Sequence, residues 1–162
     1  MTTTSYAIAL GSNRPGRHGS PHDEIRAALA AIGAAVGSVQ AVSPILTTAP
    51  VGPSIRAFAN AAALVDSPLA PPAMLRRLKA IERDFGRRRG QRWGTRVIDL
   101  DIILWSGGQW RSPGLVVPHT AYAARAFVLH PLAAIAPGWR DPRDGRTVRQ
   151  MRHGVDRRRP RP

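Results

Sequence analysis

The chain has 162 residues, 43% of them hydrophobic, enough for one domain with a real core and too many for a disordered polymer. It contains no cysteine, which excludes disulfides and thiolate metal sites and leaves only oxygen or imidazole as metal ligands. The formal net charge of +14 is almost wholly arginine, with Lys79 the one lysine, and suits partners bearing phosphate or carboxylate.

In chain order, "YAIALGSN" (residues 6–13) reads as a short apolar strand ending in a turn. "PHDEIRAALAAIGA" opens with Pro and acids and spaces Ile25, Leu29 and Ile32 as a helix does. "SVQAVSPILTTAP" (38–50) is a strand with a Pro-disturbed edge, and "AFANAAALVDS" (57–67) is its partner. "PPAMLRRLKAIERDFG" (71–86) is a second amphipathic helix, with Met74, Leu75, Leu78 and Ile81 inward and Gly86 closing it. An Arg-Gly loop follows, then a strand over 97–104, an excursion around "GGQWRSPGL" and a partly helical "AFVLHPLAAIAP". The order β-α-β-β-α-β predicts an α+β domain, a ferredoxin-like antiparallel sheet covered by helices in an α/β/α sandwich. Residues 1–152 form that domain; 153–162, ending in "RRRPRP", are expected to be a disordered basic tail. No run of about 18 apolar residues occurs, and the start lacks a basic region followed by an apolar one. The expectation is a cytoplasmic protein without a membrane partner.

The strand "VIDLDIIL" carries two acids in an apolar setting. Residues i and i+2 of a strand point the same way, ~6.6 Å apart, so Asp99 and Asp101 share one face and Ile98, Leu100 and Ile102 the other. Two converging carboxylates repel unless a cation lies between them, and arginines or divalent metals both qualify. Just before them, "RDFGRRRGQRWGTR" (83–96) sets Arg83, Arg87, Arg88, Arg89, Arg92 and Arg96 against the single acid Asp84, with Gly90 and Gly94 expected to keep the loop mobile. A cationic loop feeding a carboxylate pair is what phosphoryl transfer needs: Mg²⁺ on the acids, guanidinium groups on the migrating group. An RNA-binding loop of Arg, Gly and Trp also fits the composition, yet leaves the acids unexplained.

These residues resemble the 6-hydroxymethyl-7,8-dihydropterin pyrophosphokinase family. The likeness lies in "RWGTRVIDLDII" and, around it, "ALGSN", "TTAPVGP", "FANAAALV", "IERDFGRRR" and "VPHTAYAARAFVLHPLAAIAP", and covers roughly residues 5 to 150. It implies Mg-dependent transfer of a diphosphoryl group from ATP to the pterin alcohol in folate biosynthesis, by a monomer that does not take nucleic acid as partner. It further implies that Asp99 and Asp101 hold two Mg²⁺ ions and that Arg87 and Arg89 act from the loop. Phe58 and Phe127 would sandwich the pterin, whose edge meets Asn60, Thr48 and the backbone of Pro50, Val51 and Gly52. Trp93 would seal the site, serving both substrates. Arg89, Arg96, His119 and Arg125 would face the ATP phosphates and ribose, with Ile102 and Leu115 near the adenine. Departures from the family pattern are Thr95 before Arg96, Thr120 after His119, and Lys79 one turn before Glu82, where Gln occurs. Taken singly, Phe58 and Phe127 read as core aromatics, Asn60 as a turn cap and His119 as a loop-orienting residue. His18, His22, His130 and His153 are read as structural or surface residues, and Trp105, Trp110 and Trp139 as packing. The competing readings are an RNA-binding protein on a ferredoxin-like sheet and a catalytically silent nucleotide-binding relative.

Overall fold

The computed structural model describes residues 2–48, 58–86 and 96–158. The first apolar run forms β1 (Thr4–Ser12), with Tyr6, Ile8 and Leu10 on one face and the small Ala7 and Ala9 on the other. Helix α1 (Pro21–Ala35) starts at a reciprocal cap: the Ser20 hydroxyl accepts from the Asp23 N–H, and the Asp23 carboxylate accepts from the Ser20 N–H. The strand expected over 38–50 is divided into β2 (Ser38–Val42) and β3 (Leu46–Thr48). Pro44 has no N–H to give a ladder. Ser43 stands in for it, donating its N–H to the Ala62 carbonyl at 2.9 Å and accepting the Ala62 N–H on its hydroxyl at 2.8 Å. Then come β4 (Phe58–Ser67), α2 (Pro71–Gly86) and β5 (Asp99–Trp105), a hairpin of β6 (Trp110–Ser112) and β7 (Leu115–Val117), and helices α3 (Ala126–Ile135) and α4 (Val148–Arg158).

The sheet is antiparallel in the order β2-β4-β1-β5, with β3 also paired to β4. This is the expected ferredoxin-like α+β arrangement, helices on both faces. Helices α1 and α2 cover the face of Tyr6, Ile8, Leu100 and Ile102, burying Ile25, Ile32, Met74 and Leu78. Helices α3 and α4 cover the opposite face, burying Leu129, Leu132, Val148 and Met151 against Ala7, Ala62 and Ile103. Strand β5 carries one extra residue: Ile8 pairs with Ile102 and Ala7 with Leu104, which leaves Ile103 between them.

The expected disordered tail over 153–162 is corrected for its first part. Residues up to Arg158 belong to α4, because Val148, Met151 and Val155 recur at helical spacing and face the second core layer. The last four residues lie outside the described ones. The loop between α3 and α4 is held by a buried cluster in which Asp141 accepts from the Tyr122 hydroxyl at 2.7 Å and from Arg143 at 2.7 Å. Burial works to raise the Asp141 carboxyl, but the hydrogen bonds from Arg143 and Tyr122 prevail and hold it down at about 2.

Candidate functional site

The α3 face of the sheet is not filled at one end. There β1 presents Ala9 and Gly11 between β4 and β5, with Gly11 opposite both Asn60 and Asp99, and Ala9 opposite Asp101. These small residues leave a trough with Asn60 on one wall and the two aspartates on the other. A Cβ at Gly11 would stand 3.2 Å from the Asn60 side-chain oxygen, so even Ala there crowds the wall. The trough is a cavity of about 250 Å³, bounded also by Thr48 and Phe58 and, from the start of α3, by Arg125 and Phe127.

Phe58 and Phe127 are 39% and 45% exposed, so neither is a core residue; both border the cavity. The Arg125 guanidinium lies 5.8 Å from the Phe127 ring centroid. The Thr48 hydroxyl points back at the Phe58 carbonyl, 3.4 Å away. Asn60 is buried, and among the described residues its amide Nδ2 is the buried side-chain polar atom with no hydrogen-bond partner. A buried amide donor without a partner is costly, which marks the wall as built for a ligand acceptor.

The two acids differ in environment. Asp99 is exposed at the cavity mouth and Asp101 is partly covered. Although the Asp99 carboxyl is open to solvent at its rim, the protein packed around it withdraws part of its hydration; this, then the Glu82 and Asp101 carboxylates, pushes it above its usual range, against Arg96 and Lys79. A pair of hard oxygen ligands that repel each other fits a divalent cation. Among the described residues no three ligating side chains gather, so a cation would complete its shell with water and ligand oxygens.

Glu82 entered the sequence reading only as the neighbour of the Lys79 departure, without a role of its own. Its side chain is 4% exposed and accepts from Lys79 Nζ at 3.0 and 3.1 Å, from Arg96 at 3.2 Å and from the Leu100 N–H at 3.1 Å. It thereby fixes the start of β5 and holds Arg96 within 3.8 Å of Asp99. The signal was available: Glu82 falls on the stripe Met74, Leu78, Ile81 and Phe85, where an acid has no business unless it is paired.

A second cavity, about 390 Å³, opens at the outer edge of β5, between α2 and the β6–β7 hairpin. Leu75, Ile102, Leu115 and Val116 form its apolar part. Asp101 and His119 line both cavities, so the two meet at that pair. His119 is fastened by its N–H to the Ile103 carbonyl at 3.0 Å, and its Nδ1 accepts from the Ala121 N–H at 3.2 Å. That contact assigns the proton of the neutral ring to Nε2. Burial lowers the imidazole below its ordinary range; Asp101 opposes this and Arg125 adds to it.

Of the residues singled out from sequence, Thr48, Phe58, Asn60, Asp99, Asp101, His119, Arg125 and Phe127 thus share the first cavity. Ile102, Leu115 and His119 share the second. Arg125 borders the first cavity, and Arg96 lines a smaller adjoining recess with Glu82. Pro50, Val51, Gly52, Arg87, Arg89 and Trp93, with most of the Arg-Gly loop, lie outside the described residues.

The family model described as 7,8-dihydro-6-hydroxymethylpterin-pyrophosphokinase matches residues 7–137. A 2-amino-4-hydroxy-6-hydroxymethyldihydropteridine pyrophosphokinase of Pseudomonas aeruginosa is 43% identical over 146 residues, covering 89% of this chain and 87% of that protein. One from Bacillus subtilis is 37% identical over 165 residues, 96% of either chain. Among solved structures, Plasmodium falciparum HPPK-DHPS superposes with a TM-score of 0.78 over 97% of this chain at 14% identity, a likeness of fold in which this chain spans 45% of the other.

Proposed function

The chain belongs to the 7,8-dihydro-6-hydroxymethylpterin-pyrophosphokinase family, and from that premise we propose that it transfers the terminal diphosphoryl group of ATP to 6-hydroxymethyl-7,8-dihydropterin, releasing AMP, as a step of folate biosynthesis. The observation that carries this reading is the meeting of two unlike cavities at Asp101 and His119. The first has two exposed aromatic rings and an amide with an unmet donor, which suits a flat heterocycle with an acceptor on its edge. The second has an apolar part for a base and a polar end at Asp101. A pterin in one and ATP in the other bring the hydroxymethyl oxygen and the phosphate chain to the shared residues.

In the reaction the hydroxymethyl oxygen bonds to the β-phosphorus as the bond from that phosphorus to the α,β-bridging oxygen breaks. The hydroxyl proton passes to solvent water, and AMP leaves with the new negative charge. Asp99 and Asp101 are the residues that would hold two Mg²⁺ ions, whose chemistry when bound is to neutralise phosphate oxygens and favour the alkoxide form of the attacking hydroxyl. Phe58, Asn60 and Phe127, with Thr48, Pro50, Val51 and Gly52, fix the pterin so that its alcohol points at the seam. His119 presents Nε2–H to a phosphate oxygen. Arg96 and Arg125 add fixed positive charge, and Arg87, Arg89 and Trp93 are the further residues that the family resemblance assigns to ATP and pterin.

The protein acts, on this reading, as a monomer in the cytoplasm; among the described residues no helix is long and apolar enough to cross a membrane. RNA binding is not favoured, since helices cover most of both faces of the sheet and the two exposed rings, Phe58 and Phe127, border a bounded cavity beside two acids, which repel a nucleic-acid backbone. The deciding experiment supplies ATP, Mg²⁺ and the pterin alcohol and follows nucleotide products. AMP in step with pterin diphosphate is the expected result. ADP, or no turnover, would refute diphosphoryl transfer and leave a silent relative.

A further inference from the structure

Residues 13–20, which join β1 to α1, lie against the C-terminal end of α2. The His18 ring covers Phe85, with ring centroids 4.6 Å apart and planes at 36°. Arg17 flanks the same ring at 5.9 Å and pairs with the Asp84 carboxylate at 2.7 Å. Glu24 holds the loop there. Fully buried in the first turn of α1, it accepts the His18 N–H on Oε1 at 2.8 Å and bonds the His18 Nδ1 through Oε2 at 2.8 Å. An ionised carboxylate can only accept, which puts a ring proton on Nδ1. One buried group thus fixes both the backbone and the ring of His18.

The same loop holds the residue just after Arg96. A Cβ at Gly16 would stand 2.5 Å from Glu24 Oε1 and 2.7 Å from Val97 Cγ1, so the three are in close contact. Val97 in turn lies against Gly86, where a Cβ would run into its side chain. Phe85 and Gly86 end α2, and Val97 stands between Arg96 and the strand that carries Asp99 and Asp101. The loop therefore ties together both ends of the stretch 87–96, which contains Arg87, Arg89, Trp93 and Arg96. The Arg17–Asp84 pair adds little to this, since both side chains are more than half exposed. The anchored contact is that of His18 on Phe85.

We propose that His18 is a positioning residue for diphosphoryl transfer: held by the buried Glu24, its ring on Phe85 fixes the two ends of the arginine-rich stretch and so the place of Arg96 beside Asp99. This rests on the pyrophosphokinase reading for the identity of the reaction. His18 lines neither substrate cavity and acts through Phe85 and Val97. Charges that must meet a migrating phosphoryl group lose rate more than ground-state affinity when the segment carrying them shifts, because their best alignment is reached in the transition state.

The test is His18→Asn in the full chain. Asn places its amide nitrogen where the ring has Nδ1, so Glu24 keeps its partner while Phe85 loses the covering ring. With ATP, Mg²⁺ and the pterin alcohol, kcat for AMP release should fall about tenfold, with KM for both substrates within about twofold of wild type. Val155→Ala, which thins the opposite layer, should lower the melting temperature at least as much and leave kcat unchanged. Phe85→Leu should lower kcat too, and should add little to His18→Asn, as two residues acting through one contact do. A readout free of turnover is the carbon-13 methyl spectrum, in which the Val97 signals should move in His18→Asn and stay in Val155→Ala. A kcat within about twofold of wild type in His18→Asn, an equal kcat loss in Val155→Ala, additive losses in the double variant, or unmoved Val97 methyls would each overturn the positioning role. No AMP from the wild type would refute the reaction and the role with it; normal wild-type release with an unchanged variant would refute the role alone.

Discussion

Replacing Asn60 by Leu separates a ligand-binding amide from a structural one, because the two roles predict opposite changes. Asn60 is 5% exposed, and its Nδ2 has no partner among the described residues. A buried polar group in that state destabilises the folded protein by ~1–3 kcal/mol. Leu has nearly the same volume and no polar atom, so without ligand Asn60→Leu should keep the stability or raise it by about 1 kcal/mol. Binding of the pterin alcohol should suffer instead. The ligand loses the donor and keeps its own acceptor buried against methyl groups, a loss of ~1.5–3 kcal/mol or about 10- to 150-fold in affinity. ATP affinity, which depends on another cavity, should change by less than about twofold. Urea unfolding of the free protein and calorimetric titration with each ligand give the three numbers. If the variant is destabilised by more than about 2 kcal/mol while pterin affinity is kept, Asn60 is a bracket of the sheet and its place in the cavity is incidental.

Asp99→Asn and Asp101→Asn should each reduce AMP release by at least about a hundredfold and weaken its Mg²⁺ dependence, with unfolding midpoints nearly unchanged; near wild-type turnover in both would remove them from catalysis. For Asp141 the folded value of about 2 lies below the unfolded one, so its contribution is present above about pH 4 and is lost as the pH falls toward 2. Over that window about 2 kcal/mol of stability should disappear from the wild type, and a parallel acid-unfolding curve for Asp141→Asn would contradict this. Met151→Ala should cost about 2–4 kcal/mol on thermal unfolding, while ending the chain after Arg158 should change stability by less than about 0.5 kcal/mol.

The legible parts of this molecule are those where one short period dominates. Alternation in "VIDLDII" put both aspartates on one face, and the helical spacing of Met74, Leu78 and Ile81 oriented α2; the resulting element order was enough for the topology. The approach of Phe58 and Asn60 to Phe127 came from family resemblance, since no local pattern joins residues so far apart in the chain. Helix α4 was hidden because its three apolar residues are diluted among arginines, and a tail-like composition outweighed a weak period. Glu82 stayed obscure because an exposed and a buried acid look alike in a string of letters until their partners are known. The break between β2 and β3 was half visible, in Pro44; the hydroxyl of Ser43 that repairs the ladder was not.

The extra residue at Ile103 changes the parity of β5 midway. Before it, odd-numbered Asp99 and Asp101 face the cavity. After it, odd-numbered Trp105 faces the opposite layer, its ring 6.4 Å from Tyr6 and its indole N–H on the Thr4 hydroxyl at 2.9 Å. An unbroken strand has a single phase and cannot satisfy both ends. Losing one residue between Asp101 and Trp105 would barely alter length or hydrophobicity, yet it would force the strand to choose. Either the carboxylates turn into the layer under α1 and α2, at several kcal/mol for each unpaired charge, or the indole leaves its seat. The second is the smaller penalty, so such a deletion would loosen the far end of the sheet before it disturbed the aspartates.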